Sequence, residues 1–269
     1  MDHIDVETHG DYLPYEIQLR SDIGGRREQQ DSACVYADDT LLFAIVCDGM
    51  GGAEQGAQAS KIAVHAGSTL LKRLAAGALQ KDTVQFLEET MMDLDLQVSC
   101  ALGKRRSGTT IVIALLKDGK LYWASAGDSR LYIFRDNELV QATRDHNYFL
   151  RLEEQLRQGD IDQETFSRES DRGEALISYL GIGGLPVYDL TTAPLPVAEG
   201  DILLLTTDGL YKAIPQGLIC HILKGKGSLA EKADTLMKQI TVLKESILLD
   251  NTTFVLIKIK TRGGADEPG

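Results

Sequence analysis

Three apolar runs in this 269-residue chain end in an aspartate. Residues 42–47 lead into Asp48-Gly49-Met50-Gly51-Gly52, residues 123–127 into Asp128-Ser129-Arg130, and residues 202–207 into Asp208-Gly209-Leu210. A fourth carboxylate, Asp250, heads the last apolar run with Asn251-Thr252. One Asp-Gly pair alone reads as a turn. A set of carboxylates at the ends of core strands is harder to satisfy, because a half-buried unpaired carboxylate costs several kcal/mol or changes protonation state. Arg and Lys are not placed in the sequence to neutralise them all. Hard oxygen ligands suit Mg²⁺ or Mn²⁺, and divalent cations would offset the charge if the strand ends meet at one edge of the fold.

The glycines after Asp48 let backbone approach closely, so a carbonyl there could ligate an ion beside its own aspartate. One carboxylate bridging two ions about 3.5–4 Å apart makes a binuclear centre that activates water, which suits the very slow hydrolysis of phosphate esters. The segment Gly24-Gly25-Arg26-Arg27-Glu28-Gln29-Gln30-Asp31 carries two arginines near an acid. Guanidinium matches phosphate oxygens in bidentate fashion, and a surface salt bridge is the competing use of these side chains.

The elements that must position these residues are legible in blocks. Alternation at Tyr15, Ile17 and Leu19 and the apolar run 41–47 predict strands. Ala59, Ile62, Ala63, Ala66, Leu70, Leu71 and Leu74 predict one amphipathic helix, and Val84, Leu87, Met91, Leu94 and Val98 a second. Strands at 109–117 and 120–126 flank Asp118-Gly119, and strands at 130–135 and 138–142 flank Asp136-Asn137, both hairpin dipeptides. Residues 145–172 are charged and weakly periodic, the signature of a functional flap. A short helix near 174–180, a strand at 201–206, a helix at 229–243 and a strand at 251–259 complete the pattern. Antiparallel hairpins with paired helices predict an α+β layered domain. No GxGxxG follows an early strand and Gly51-Gly52 lacks the Lys-Ser/Thr of a P-loop, so nucleotide-binding folds are excluded.

Composition bounds the function. Hydrophobic residues are 43% and charged residues 25%, as in a soluble globular chain. With 40 acidic against 28 basic residues the net charge is -12, which disfavours nucleic acid and anionic lipid. No apolar stretch reaches the ~18 residues of a membrane span, and the polar start does not read as a secretory signal. Cys34, Cys47, Cys100 and Cys220 are scattered without a CxxC pair and read as buried free thiols in a reducing, cytoplasmic compartment.

Eight segments together carry a resemblance: residues 26–31, 48–52, Ser107-Gly108-Thr109-Thr110, 127–130, Asp145-His146-Asn147, Leu180-Gly181, 208–210 and 250–252. In this order they resemble the metal-dependent protein phosphatases, the type 2C Ser/Thr phosphatases, in their compact bacterial form. The resemblance implies a four-layer α-β-β-α sandwich of two mainly antiparallel sheets flanked by helix pairs. It implies tails at 1–14 and 261–269 around one catalytic domain at 15–260, with a mobile flap at about 145–172. Asp48 would bridge two Mn²⁺ or Mg²⁺ ions, the Gly49 carbonyl would ligate one, and Asp208 and Asp250 would complete the shell. Asp128 matches the carboxylate of a third, weaker ion. Arg26 and Asp31 are the catalytic candidates, with Arg26 on the phosphate and Arg27 as its neighbouring alternative.

Two departures stand out. Gln30 replaces the usual Glu of the family motif and lacks its charge toward the second ion. Met50 stands where animal members carry a His proposed to protonate the leaving group, and Met has no proton to give. His146 reads as structural at the flap base, and Trp123 as core. The expected function is hydrolysis of phosphoserine and phosphothreonine in substrates of a Ser/Thr protein kinase, by a monomer that needs neither membrane nor nucleic acid. The alternatives are a non-catalytic regulator of the same fold, favoured by Gln30 and Met50, and a small-molecule phosphatase with the same metal chemistry.

Overall fold

In the computed structural model, which describes residues 4–10, 13–77, 82–103, 107–244 and 247–260, the predicted alternation resolves into two stacked sheets. The elements in order are β1 (Ile4–Thr8), β2 (Tyr15–Asp22), β3 (Asp31–Ala37), β4 (Leu41–Met50), α1 (Ala53–Ala75), α2 (Thr83–Leu102), β5 (Gly108–Thr109), β6 (Ile111–Lys117), β7 (Lys120–Ala126), β8 (Arg130–Arg135), β9 (Glu138–Gln141), α3 (Tyr148–Gln158), α4 (Gln163–Glu169), β10 (Asp189–Leu190), β11 (Leu195–Pro196), β12 (Ile202–Thr206), α5 (Asp208–Tyr211), α6 (Gln216–Lys224), α7 (Leu229–Lys244) and β13 (Thr252–Ile259). One sheet runs β1-β3-β4-β6-β7-β10, with β11 also on β7 and β5 on β4. The other runs β2-β13-β12-β8-β9. Every pairing is antiparallel except β1 with β3.

The two-residue period of a strand sorts β4 between layers. Leu41, Phe43, Ile45 and Cys47 face α1 and α2, packing with Leu71, Leu87, Met91 and Leu94. Leu42, Ala44 and Val46 face the second sheet and meet Leu203, Leu205, Val255 and Ile257. Tyr132, Leu204, Phe254 and Leu256 turn outward onto α6 and α7 through Ile219, Leu236 and Ile240. The result is the expected four-layer α-β-β-α sandwich. Both hairpin dipeptides act as turns: Asp118 and Gly119 take φ of 52° and 70°, Asp136 and Asn137 φ of 52° and 65°, the paired positive values of a type I′ turn.

Several expectations need correction. Residues 4–8, expected within a polar tail, form a parallel edge strand on β3. The weakly periodic segment 145–172 contains two helices, whose starts are fixed locally: Asn147 accepts from the Leu150 N–H and Asp162 from the Thr165 N–H. In α3 Phe149, Leu152 and Leu156 recur at helical spacing and form its inward stripe, which the many charged neighbours obscure in the sequence. The segment expected as a helix near 174–180 is extended, with Leu176 bridging Asn147 and Leu180 bridging Thr109. The helix α6 carries no prior expectation. Cys34 and Cys47 are buried and all four thiols are free, but Cys100 is exposed. The tail expected at 261–269 lies outside the described residues.

Candidate metal and phosphate site

The layer between the sheets is apolar along its middle and turns polar at one end. On β3 the inward positions Val35 and Ala33 continue to Asp31; on β4, Leu42, Ala44 and Val46 continue to Asp48. The register pairs Asp31 with Asp48 across the two strands. By the same parity Val112 on β6 is preceded by Thr110, Leu131 on β8 by Ser129, and Leu205 on β12 is followed by Thr207. These hydroxyls join the end of the layer. Thr110 Oγ1 lies 2.6 Å from Ser129 Oγ and accepts from the Asp48 N–H at 2.9 Å. Thr207 Oγ1 donates to Asp31 Oδ2 at 2.9 Å.

Two of the Asp-Gly pairs are close approaches rather than turns. Gly49 sits within β4, and a Cβ there would lie 2.1 Å from the Gly56 carbonyl oxygen of α1. Gly209 sits within α5, and a Cβ there would lie 2.0 Å from the Asn251 carbonyl oxygen. Glycine therefore lets α1 and the start of β13 press against the aspartate-bearing segments.

Above this floor opens a cleft of about 880 Å³, lined by Arg26, Asp48, Asp128, Asp208, Lys212 and Asp250 among others. The structure thus gathers Asp48, Gly49, Asp128, Asp208, Asp250, Gln30, Arg26 and Arg27 at one site. Asp31 is the exception. Expected among the catalytic residues, it is 0% exposed, lying beneath the cleft and opposite Asp48 rather than in its lining. Gln30 donates to the Gly52 carbonyl at 3.1 Å. Asn251 clamps the arginine loop: its amide donates to the carbonyls of Ile23 and Glu28, and its oxygen accepts from the Gln30 N–H. Arg26 Nη2 donates to Asp250 Oδ2 at 2.6 Å, while Arg27 is exposed at the cleft margin.

The charge is concentrated and undercompensated. Burial, followed by the nearby Asp208 and Asp250, pushes Asp31 up to about 8 against the partial relief from Thr207 and Thr253. Asp48 is raised well above the carboxylate range by desolvation, then by Asp31 and Asp208. Asp128 is raised to about 6 by burial and Asp208, with Lys212 opposing. Asp31 Oδ1 and Asp208 Oδ1 are buried without a hydrogen-bond partner. Among the described residues no three His, Cys, Asp or Glu side chains close around one point as a finished cage, since Arg26 and Lys212 draw Asp250 and Asp208 toward themselves. The donors nonetheless fit a hard divalent cation: they are all oxygens, two of the buried ones lack partners, and their mutual repulsion is what a cation removes.

Residues in or around the cleft that the sequence reading did not single out are Lys212, Thr207, Tyr211 and Glu174. Lys212 lies four residues after Asp208, a spacing that places its ammonium over that carboxylate on a helical turn and could have revealed it. Glu174 carried no local signal. His146, expected to be structural, is fully buried, and its Nδ1 accepts from the Gly127 N–H at 3.1 Å, fixing the backbone beside Asp128.

The sandwich with carboxylates at one end of its inter-sheet layer defines a phosphate-ester hydrolase of the metal-dependent type, and the comparisons agree. The family model described as protein phosphatase 2C matches residues 21–241. The serine/threonine phosphatase stp of Listeria welshimeri is 31% identical over 247 residues, covering 90% of this chain and 94% of its own. The structure of serine/threonine phosphatase Stp1 from Staphylococcus aureus matches with a TM-score of 0.72 at 26% identity, covering 94% of this chain and 99% of its own. The catalytic domain of the serine threonine protein phosphatase PstP, solved in complex with 2 manganese ions, matches with a TM-score of 0.68 at 26% identity over 91% of this chain and 98% of its own. The chain belongs to the protein phosphatase 2C family.

Proposed function

We propose that this protein hydrolyses phosphoserine and phosphothreonine in phosphoproteins, using two Mn²⁺ or Mg²⁺ ions held by Asp48, the Gly49 carbonyl, Asp208 and Asp250. The observation that carries the reading is the convergence of these oxygens and Arg26 on one cleft from β4, α5, the head of β13 and the loop before β3. Bound there, such ions supply Lewis-acid charge and a water activated near neutral pH.

The chain's own residues do the rest. Asp31 and Thr207 brace Asp48 from below through the paired strands. Asp208 offers Oδ1, which has no other partner, while its Oδ2 is engaged by Lys212. Arg26 spends one N–H on Asp250 and has further donors for the phosphate oxygens at the cleft mouth. Arg27 adds positive charge at the same margin. Met50 lines the cleft and donates no proton, so the leaving oxygen takes its proton from water or a metal-bound group. Gln30 contributes an uncharged amide, which leaves the second ion held with one formal charge fewer than a Glu would give.

The substrates on this reading are products of a Ser/Thr protein kinase, met in the cytoplasm by a monomer. Among the described residues no helix is long and apolar enough to cross a membrane. The test is phosphate release from a phosphothreonine peptide with Mn²⁺, with EDTA, and with Asp48→Asn. Activity confined to the first sample is expected, and equal activity in all three would end the metal mechanism. A parallel assay on small phosphate esters separates protein substrates from metabolites.

A further inference from the structure

The two halves of the cleft are neutralised by different means. Asp128 is 6% exposed, its backbone carbonyl is held by the Tyr211 hydroxyl at 2.9 Å, and its flanking Gly127 N–H is held by His146. Tyr211 in turn carries the Arg130 guanidinium over its ring at 3.5 Å, but Arg130 is committed to Asp145 through two hydrogen bonds of 2.8 and 2.6 Å. The cation that faces Asp128 is Lys212. Its Nζ lies 2.9 Å from Asp208 Oδ2, 3.8 Å from Asp128 Oδ2 and 3.2 Å from Glu174 Oε2. One ammonium thus sits among three carboxylates, which is the place and the charge sign of a bound ion. Asp208 Oδ2 takes the ammonium, and its Oδ1 is buried and without a partner, so only one of its oxygens is already spent.

We propose that Lys212 is a built-in cation that serves Asp128 in place of a third divalent ion, so that this enzyme binds two ions and carries the third cation, singly charged, on its own chain. The proposal rests on the phosphatase reading for the two-ion centre and goes beyond it in assigning the Asp128 side to Lys212. The ammonium cannot be diluted or chelated, so the Asp128 side stays compensated at any concentration of free metal. Through Glu174, one residue beyond Gly173 at the end of the flap segment, the same ammonium ties that segment to the cleft.

The test counts Mn²⁺ bound per chain, without substrate, by equilibrium dialysis and by electron paramagnetic resonance of free Mn²⁺. Wild type should saturate at two ions up to millimolar Mn²⁺. Lys212→Met, which keeps the stem and removes the charge, should gain one further weak ion. Lys212→Met with Asp128→Asn should lose that gain, and Lys212→Arg should stay at the wild-type count. A third ion in the wild type, or no gain in a folded Lys212→Met, overturns the proposal. If Lys212→Met does not fold, Asp128→Asn alone decides: an unchanged count supports the proposal, and a count one lower refutes it. Hydrolysis by the wild type is scored separately, so loss of the phosphatase reading would show as absent Mn²⁺-dependent turnover whatever the differences between variants.

Discussion

The floor of the cleft and its Lys212 side are both rich in carboxylate, and they differ in what offsets the charge. On the floor, Asp31 and Asp48 face each other across β3 and β4; Thr207 donates to the Asp31 carboxylate, Thr110 accepts from the Asp48 N–H, and among the described residues no cationic side chain is bonded to either. On the other side, Lys212 reaches Asp208, Asp128 and Glu174 at once. A sandwich can afford the first arrangement only at an open end, where an external cation can arrive. The second is self-contained, because a helical turn carries its own countercharge four residues along the chain. On the proposed reading, the floor is the part that calls for metal, while the Lys212 side carries its own countercharge.

The largest effect should follow from Asp208→Asn, which weakens both sides together. We expect kcat/KM for a phosphothreonine peptide to fall by at least about 10³-fold, equivalent to roughly 4 kcal/mol of transition-state stabilisation. A loss under tenfold would mean that Asp208 does not join the two sides.

Stability against pH sharpens the contrast next. In the ion-free protein Asp31 titrates at about 8 against its ordinary 3.8, and Asp128 at about 6. Between the ordinary and the raised values the folded chain keeps a proton that the unfolded chain has released. The stabilising contribution is therefore full below about pH 4 and is lost as pH rises, up to about 6 for Asp128 and about 8 for Asp31, by up to about 1.4 kcal/mol per pH unit for each group. Asp189, lowered to about 2 against its burial by His146 and Arg144, acts only in the acid range below this window. The melting temperature in EDTA should fall from pH 5 to 8, and Mn²⁺ should restore it. Asp31→Asn should flatten the EDTA profile; a flat wild-type profile would remove the charged floor from the account.

The Asn251 clamp comes third. Asn251 is 3% exposed and makes three hydrogen bonds that hold the arginine loop. Asn251→Ala should destabilise the fold by about 1–3 kcal/mol and raise KM, since it strands buried partners and frees Arg26 to wander. An unchanged KM in a stable variant would separate the loop from phosphate binding.

The smallest effect belongs to Glu174→Gln. Its side chain is 72% exposed, so the arm it extends to Lys212 is screened by solvent. Proteolysis within residues 148–172 should quicken by less than about threefold, with turnover nearly unchanged.

The same dipeptide shows how far local sequence reaches. Asp118-Gly119 is a turn because nothing but solvent contends for it, and its positive φ values were legible from the two residues alone. Asp48-Gly49 and Asp208-Gly209 read identically, yet one lies in a strand and the other in a helical turn, each glycine pressed by backbone from elsewhere in the chain. The strands, the two long helices and the layered α+β class were written in apolar periodicity, which is a local property. Helix α4 was not, because it buries no residue and leaves no stripe, whereas α3 does carry one in Phe149, Leu152 and Leu156 that its charged neighbours hid.

By itself the sequence determined which side chains can do the chemistry: four carboxylates at the ends of core strands, two arginines in a glycine-bounded loop, and no proton donor at Met50. Alternation along β4 also puts Asp48 on one face with Leu42, Ala44 and Val46, although a run apolar on both faces does not say which face meets the second sheet. Only the tertiary structure decided that Asp31 lies beneath the cleft, that Arg26 leans on Asp250, and that Lys212 sits among Asp208, Asp128 and Glu174. Burial and charge compensation are set by distances across sheets, and those arise only when strands remote in sequence are stacked end to end in one sandwich.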